Sequence, residues 1–225
     1  MTTFVLVPGA DGSAWFWHRL VPELRARGHR AVAVDLPKEE SADLDAYAEA
    51  VVQAIGGQSP VVVVAQSLGG FVAPLVCERV PVASLVLVNA MVPAPGESAA
   101  QWWAATGHAE ARAEQAVREG RSPGAELDPR TDFFHDVPAE VTEEALAGEA
   151  GGPSAAMFGQ PWPLRHWPDV PTRFLQGRDD RFFPLEFQRR VVAERLDGVT
   201  VEELPGGHLL ALSRPAELAD RLCSA

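Results

Sequence analysis

Cysteine is scarce in this 225-residue chain: there are two, Cys77 and Cys223, at neither framework nor metal-ligand spacing. That excludes a disulfide scaffold and a cysteine-based metal site, and leaves two reduced thiols in a cytosolic protein as the expectation. Positive charge is also short, with 19 Lys and Arg against 31 Asp and Glu, for a formal net charge of -12. A surface of that sign repels nucleic acid and anionic membranes, so neither is expected as a partner. No apolar run is long enough to span a bilayer, and Met1-Thr2-Thr3 leads directly into Phe4–Val7 without a basic leader. The chain therefore reads as soluble and cytoplasmic. Internal repeats and low-complexity tails are lacking too. What is present, 47% hydrophobic and 22% charged residues, suits one enzyme-sized α/β domain with room for an insertion.

The most informative stretch is Val61-Val62-Val63-Val64-Ala65-Gln66-Ser67-Leu68-Gly69-Gly70-Phe71. A β-branched run without alternation suits a strand buried on both faces, as in a parallel sheet covered by helices. Helical spacing follows from Phe71 to Val80. Ser67 thus stands between a strand end and a helix start, where small neighbours allow a turn tight enough to lift a side chain clear of the sheet. This is the logic of the nucleophile elbow, usually Gly-x-Ser-x-Gly, with Ala65 in the place of the first glycine. An N-capping serine would look much the same, so the motif needs support from elsewhere.

The remaining pattern supplies it. Strands are expected at Phe4–Val7, Arg30–Asp35, Ser84–Asn89, Thr172–Gln176 and Val199–Leu204. Helices are expected at Ser13–Arg27, Leu44–Ile55, Leu185–Leu196 and Leu209–Leu222. Alternating strands and helices imply right-handed βαβ units and about six mainly parallel strands flanked by helices. Between residues 91 and 169 the rhythm stops. Helical stretches at Gln101–Glu119 and Ala139–Ala150, a break at Gly151-Gly152-Pro153 and no evident strand suggest an inserted helical cap on a core of residues 1–90 and 170–225.

A serine nucleophile needs a base and a carboxylate to orient it. Gly206-Gly207-His208 follows the last strand, and Gly177-Arg178-Asp179-Asp180 follows the strand before it. Both therefore emerge at the same sheet edge as Ser67, and either aspartate could serve as the acid. A histidine after two glycines can simply start a helix, and paired aspartates in a loop are usually solvated. Three residue types at three strand ends in the order Ser, Asp, His are much harder to produce by accident.

At these residues the chain resembles the α/β-hydrolase superfamily, and within it the branch of plant methyl-ester esterases and hydroxynitrile lyases. The resemblance lies in Phe4–Pro37 with its Gly-Ala-x-x-x-Ala-Trp pattern, the elbow, Asp180–Arg189, and Gly207-His208 onward to Pro215. It implies an α/β-hydrolase fold and, through the Gly-x-x-Asp-x-x-x-Pro pattern from Gly177 to Pro184, Asp180 as the triad acid beside Ser67 and His208. It also implies an oxyanion hole formed by the backbone N–H groups of Ala10 and Leu68. Pro8 and Gln66 stand where the branch often has histidine. The lyases carry a threonine hydroxyl in the first oxyanion loop and a lysine after the histidine, where this chain has Ala10 and Leu209.

An ester, lactone or thioester carbonyl of a small or medium apolar molecule is therefore the expected substrate, with no cofactor and no metal. Alternatives are a lyase, cyclase or acyl transferase that uses the same triad as a base, and a non-catalytic binding protein on this fold. Candidate pocket walls are Trp15, Trp17, Phe71, Met91, Trp102, Trp103, Met157, Phe158, Phe182 and Phe183, of which Trp15, Trp102, Trp103, Met157, Phe158 and Phe182 are the chosen substrate contacts. Asp132-Phe133-Phe134-His135-Asp136 is the most unusual feature of the cap, and a structural loop is its simplest reading.

Overall fold

The central strands of the sheet are runs that lack alternation because both faces are covered there. The computed structural model describes residues 1–148 and 151–224. Its strands are β1 (Thr3–Val7), β2 (Arg30–Ala33), β3 (Val61–Gln66), β4 (Val82–Val88), β5 (Thr172–Gly177) and β6 (Val201–Leu204). They form one sheet in the order β2-β1-β3-β4-β5-β6, every neighbour parallel. Along β3, Val61, Val63 and Ala65 enter one apolar layer, while Val62 and Val64 face the other. β1 and β4 divide the same way, with Val5 and Leu85 on one side and Leu6 and Val86 on the opposite side.

The first layer is covered by α2 (Leu44–Ile55), α3 (Ala73–Cys77) and α9 (Leu185–Arg195), and the second by α1 (Leu20–Ala26) and α11 (Pro215–Cys223). α2 has the limits its sequence predicts, because both ends carry caps. Asp43 accepts the N–H of Ala46 at 2.9 Å, and Gly56 closes the helix at φ 58°.

Other helices are more broken than their periodicity suggests. Ser13–Arg27 divides into a 3-10 turn at Ala14–Trp17 and α1, since Pro22 cannot accept a place deep in a continuous helix. Pro215 likewise separates α10 (Leu210–Ser213) from α11. Gln101–Glu119 becomes α4 (Ala99–Thr106) and α5 (His108–Arg118), parted by Gly107 at φ 65°.

Between β4 and β5 the described residues carry α4, α5, α6 (Pro129–Asp132), α7 (Ala139–Ala147) and α8 (Ala155–Gly159), and no strand. The last residues of the expected helix, Glu149 and Ala150, lie outside the described residues. This segment is tied into the sheet's own core: Ala99, Trp102, Met157 and Trp162 belong to the same apolar cluster as Val63 and Leu87.

Candidate active site

β3 ends at Gln66, and a 3-10 turn over Ser67–Phe71 follows at once. Ser67 takes φ 52°, a left-handed conformation that costs an L-residue roughly 1–2 kcal/mol. Packing holds it there. The Ser67 carbonyl accepts the N–H of Met91 at 2.9 Å, and the turn lies so close to its neighbours that a Cβ on Gly70 would stand 1.9 Å from the Met91 carbonyl oxygen. A Cβ on Gly69 would stand 2.8 Å from the Pro8 carbonyl oxygen. Ala65 is different: its methyl is fully buried in the apolar layer, between β1 and β4, so the departure from glycine adds core contact.

His208 reaches the same sheet edge through the Pro205–Gly207 loop after β6. Its Nδ1 lies 2.8 Å from Asp180 Oδ2, and the two residues are 2% and 1% exposed. Asp180 Oδ1 accepts the N–H groups of Phe182 and Phe183, both at 2.8 Å, which fixes the carboxylate plane. With that carboxylate facing Nδ1, the neutral imidazole carries its proton there and leaves Nε2 bare as an acceptor. Asp179 turns the other way, its Oδ2 accepting the N–H of Gly206 at 3.0 Å.

Ser67 and His208 both line a cavity of about 150 Å³. Its floor includes Gly9, Ala10, Asp11 and Gln66, and its walls are Phe16, Phe133, Phe134 and Leu209. The loop after β1 abuts the elbow closely: a Cβ on Gly9 would lie 3.0 Å from Ser67 Cβ. That brings Ala10 to the cavity, while Leu68 directly follows the serine and is buried.

The aromatic side chains chosen from sequence are not the walls. Trp102 is fully buried and donates its indole N–H to Val92 O at 3.0 Å, and Met157 is buried in the same core. Trp103 and Phe158 pack against that cluster, and Trp103 meets Trp102 edge to face. Trp15 points its indole N–H to Glu144 at 3.0 Å. Phe182 sits behind the site, with its ring centroid 5.2 Å from that of His208. The physical reason is that Trp102, Trp103, Met157 and Phe158 anchor the helical segment to the sheet's own core, which leaves Phe133 and Phe134 of that segment at the cavity. Trp17, Phe71, Met91 and Phe183 are buried core residues as well.

Two supporting residues carry little sequence signal. Asn89, fully buried at φ 45° just past β4, accepts the N–H of Gly177 at 2.7 Å and donates to Gly207 O at 3.0 Å and His208 O at 2.8 Å. A polar residue ending an apolar strand was its only mark. His108 lies among the rings of Trp102, Trp103, Phe182, Phe183 and Phe187, with Nε2 2.7 Å from Phe182 O. Burial holds its pKa below the usual histidine range, so the ring is neutral and donates its N–H to that carbonyl. Among the described residues no group of three or more His, Cys, Asp or Glu side chains converges as a metal site, and no helix is long and apolar enough to cross a membrane.

Comparison with known proteins gives a consistent picture. Residues 4–221 match the family described as the alpha/beta hydrolase family. A rice protein, Oryza sativa subsp. indica "Probable esterase PIR7A", is 29% identical over 268 aligned residues, covering 97% of this chain and 94% of that protein. The pyrethroid hydrolase of Sphingobium wenxiniae is 27% identical over 249 residues, covering 99% and 86%. Among solved structures, polyneuridine aldehyde esterase superposes with a TM-score of 0.77 at 23% identity, covering 99% of this chain and 98% of that one.

Proposed function

The chain belongs to the alpha/beta hydrolase family, and on that premise we propose that it is a serine hydrolase of small or medium apolar carboxylic esters. The observation that carries this reading is the buried His208–Asp180 pair, 2.8 Å apart, opening onto the cavity that Ser67 also lines. Relatives named as esterases and as a pyrethroid hydrolase, matching nearly the whole chain, support ester chemistry.

In this mechanism Nε2 of His208 takes the Ser67 proton as Oγ attacks the ester carbonyl, and Asp180 holds the imidazole in the tautomer that allows it. The N–H groups of Ala10 and Leu68 receive the oxyanion, where fixed donors are worth about 3 kcal/mol each. His208 returns its proton to the departing alcohol, and water attacking the acyl-Ser67 repeats the sequence. Phe16, Phe133, Phe134 and Leu209 leave little polar surface in the wall, so apolar groups flanking the ester gain most by binding. Residues 91–169 act as the cap over this cavity, which at about 150 Å³ favours short chains.

The test is hydrolysis of p-nitrophenyl esters from acetate to decanoate. Turnover is expected to be greatest for the shorter acyl chains and to fall by on the order of 10⁴-fold or more in Ser67→Ala. Hydrolysis that survives this substitution unchanged would refute the assignment.

A further inference from the structure

The Asp132–Asp136 segment does more than wall the cavity. It enters from α6, where buried Asp132 is anchored by Arg112 at 2.9 Å, and presents Phe133 and Phe134 to the cavity. The Phe133 ring lies 5.3 Å from the His208 ring, centroid to centroid. The next two residues bond directly to the loops that carry the acid and the base. His135 Nε2 lies 3.0 Å from the carbonyl oxygen of Asp179, and Asp136 Oδ2 accepts the N–H of Gly207 at 2.8 Å.

This approach requires glycine at 207, because a Cβ there would stand 2.7 Å from both Asp136 Oδ1 and His135 Nε2. Gly207 is thus held from two directions. Asp136 takes its N–H from the side of the helical segment, and Asn89 binds its carbonyl at 3.0 Å from the sheet side. The following residue is His208, whose Cα–Cβ direction is set by the backbone on which these two side chains act.

We propose that Asp136 is a positioning residue of the hydrolytic site: by holding the Gly207 N–H it aims His208 Nε2 at Ser67, so the segment that walls the cavity also aligns the base. This rests on the serine-hydrolase reading, because it is that reaction which needs the imidazole aimed. Asp136 touches neither substrate nor reacting atoms; it acts through the backbone of Gly207. A misplacement on the order of 1 Å in such a supporting contact can cost about 10²-fold in rate.

The experiment compares the full-length wild type with Asp136→Ala and Asp136→Asn, whose amide oxygen can accept the same N–H. Three quantities are read: kcat and KM on a short p-nitrophenyl ester, the rate of Ser67 labelling by a fluorophosphonate, and the far-downfield proton resonance of His208 Nδ1–H. Asp136→Ala is expected to lower kcat and the labelling rate by about 10–100-fold with KM nearly unchanged, and to broaden the resonance. Asp136→Asn should recover most of each. Should Asp136→Ala fail to fold, Asp136→Ser, too short to reach Gly207, takes its place with the same expectation.

The proposal is overturned if kcat, labelling and the resonance are the same in all three proteins, or if the alanine and asparagine variants lose equally. A wild type that neither turns over nor labels would instead refute the hydrolase reading. The resonance would then still decide whether Asp136 holds His208, being broadened in alanine and kept sharp in asparagine if it does and unchanged in both if it does not.

Discussion

The amide nitrogen of Asn89 lies 2.8 Å from the backbone carbonyl oxygen of His208, which ties the end of β4 to the residue placed as the catalytic base. The same side chain receives the N–H of Gly177 at the end of β5. One buried residue therefore joins three loops at the sheet edge. Asn89→Ala strands the buried Gly177 N–H and Gly207 carbonyl, leaves the His208 carbonyl only the long bond from Gln66 at 3.4 Å, and removes a residue type that tolerates φ 45° better than most. A loss of about 3 kcal/mol in urea unfolding is expected, together with a fall in kcat of about tenfold or more. A variant as stable and as active as the parent would show that the loops hold their places without it.

The two adjacent aspartates make a direct comparison. Asp180 faces Nδ1 of His208, whereas Asp179 receives the Gly206 N–H. Asp180→Asn is expected to lower kcat by on the order of 10⁴-fold by favouring the wrong tautomer. Asp179→Asn keeps an oxygen for Gly206 and is expected to stay within about threefold, below the cost of one lost charge-assisted bond. The reverse order in steady-state assays would assign the acid to Asp179.

His108 gives a pH dependence of stability with a definite sign. Its folded-state pKa lies below the unfolded value of about 6.5 because burial disfavours the charged ring. Between the two values the unfolded chain binds a proton that the native one refuses, so stability falls as pH drops below about 6.5 and levels off below the folded pKa. His108→Gln can still donate to Phe182 O but cannot titrate. Urea midpoints from pH 5 to 8 should show the wild type gaining stability with pH relative to this variant. A difference that does not change with pH would contradict the neutral assignment.

Walls and core separate in their mutational signatures. Phe134 lines the cavity, whereas Trp102 is buried away from it. Phe134→Ala is expected to shift the preferred ester toward longer acyl chains. Trp102→Ala is expected to cost about 3–5 kcal/mol of stability with KM of the folded fraction unchanged. Both are read from ester chain-length profiles and denaturation curves. A chain-length shift in the Trp102 variant would return that residue to the wall.

The fold was largely legible in the sequence. Runs such as Val61–Val64 suited strands covered on both faces, and the strand and helix alternation implied the parallel pairing that all six strands adopt, though not their order. Ser67, His208 and the Asp179-Asp180 pair stood out because each follows a strand, and the choice of Asp180 within the pair came from the resemblance to the α/β-hydrolases; in the structure it is Asp180 that faces His208. Helix limits were less legible, since Pro22, Gly107 and Pro215 cut periodic stretches that read as continuous. The walls were the least legible part. Side-chain size does not tell a buried anchor such as Trp102 from a cavity residue such as Phe16, which differs from its neighbour Trp15 only by one step around a 3-10 turn. Asn89 and Asp136 act on backbone of distant loops, a relation that local pattern does not contain.

The serine-hydrolase reading requires that Ser67 be activated by His208. It is tested most directly by treating the purified protein with a fluorophosphonate and measuring intact mass, for wild type, Ser67→Ala and His208→Ala. A single adduct on the wild type, absent from both variants, is the predicted result. A folded wild type that acquires no adduct, or an adduct that persists in Ser67→Ala, would contradict it.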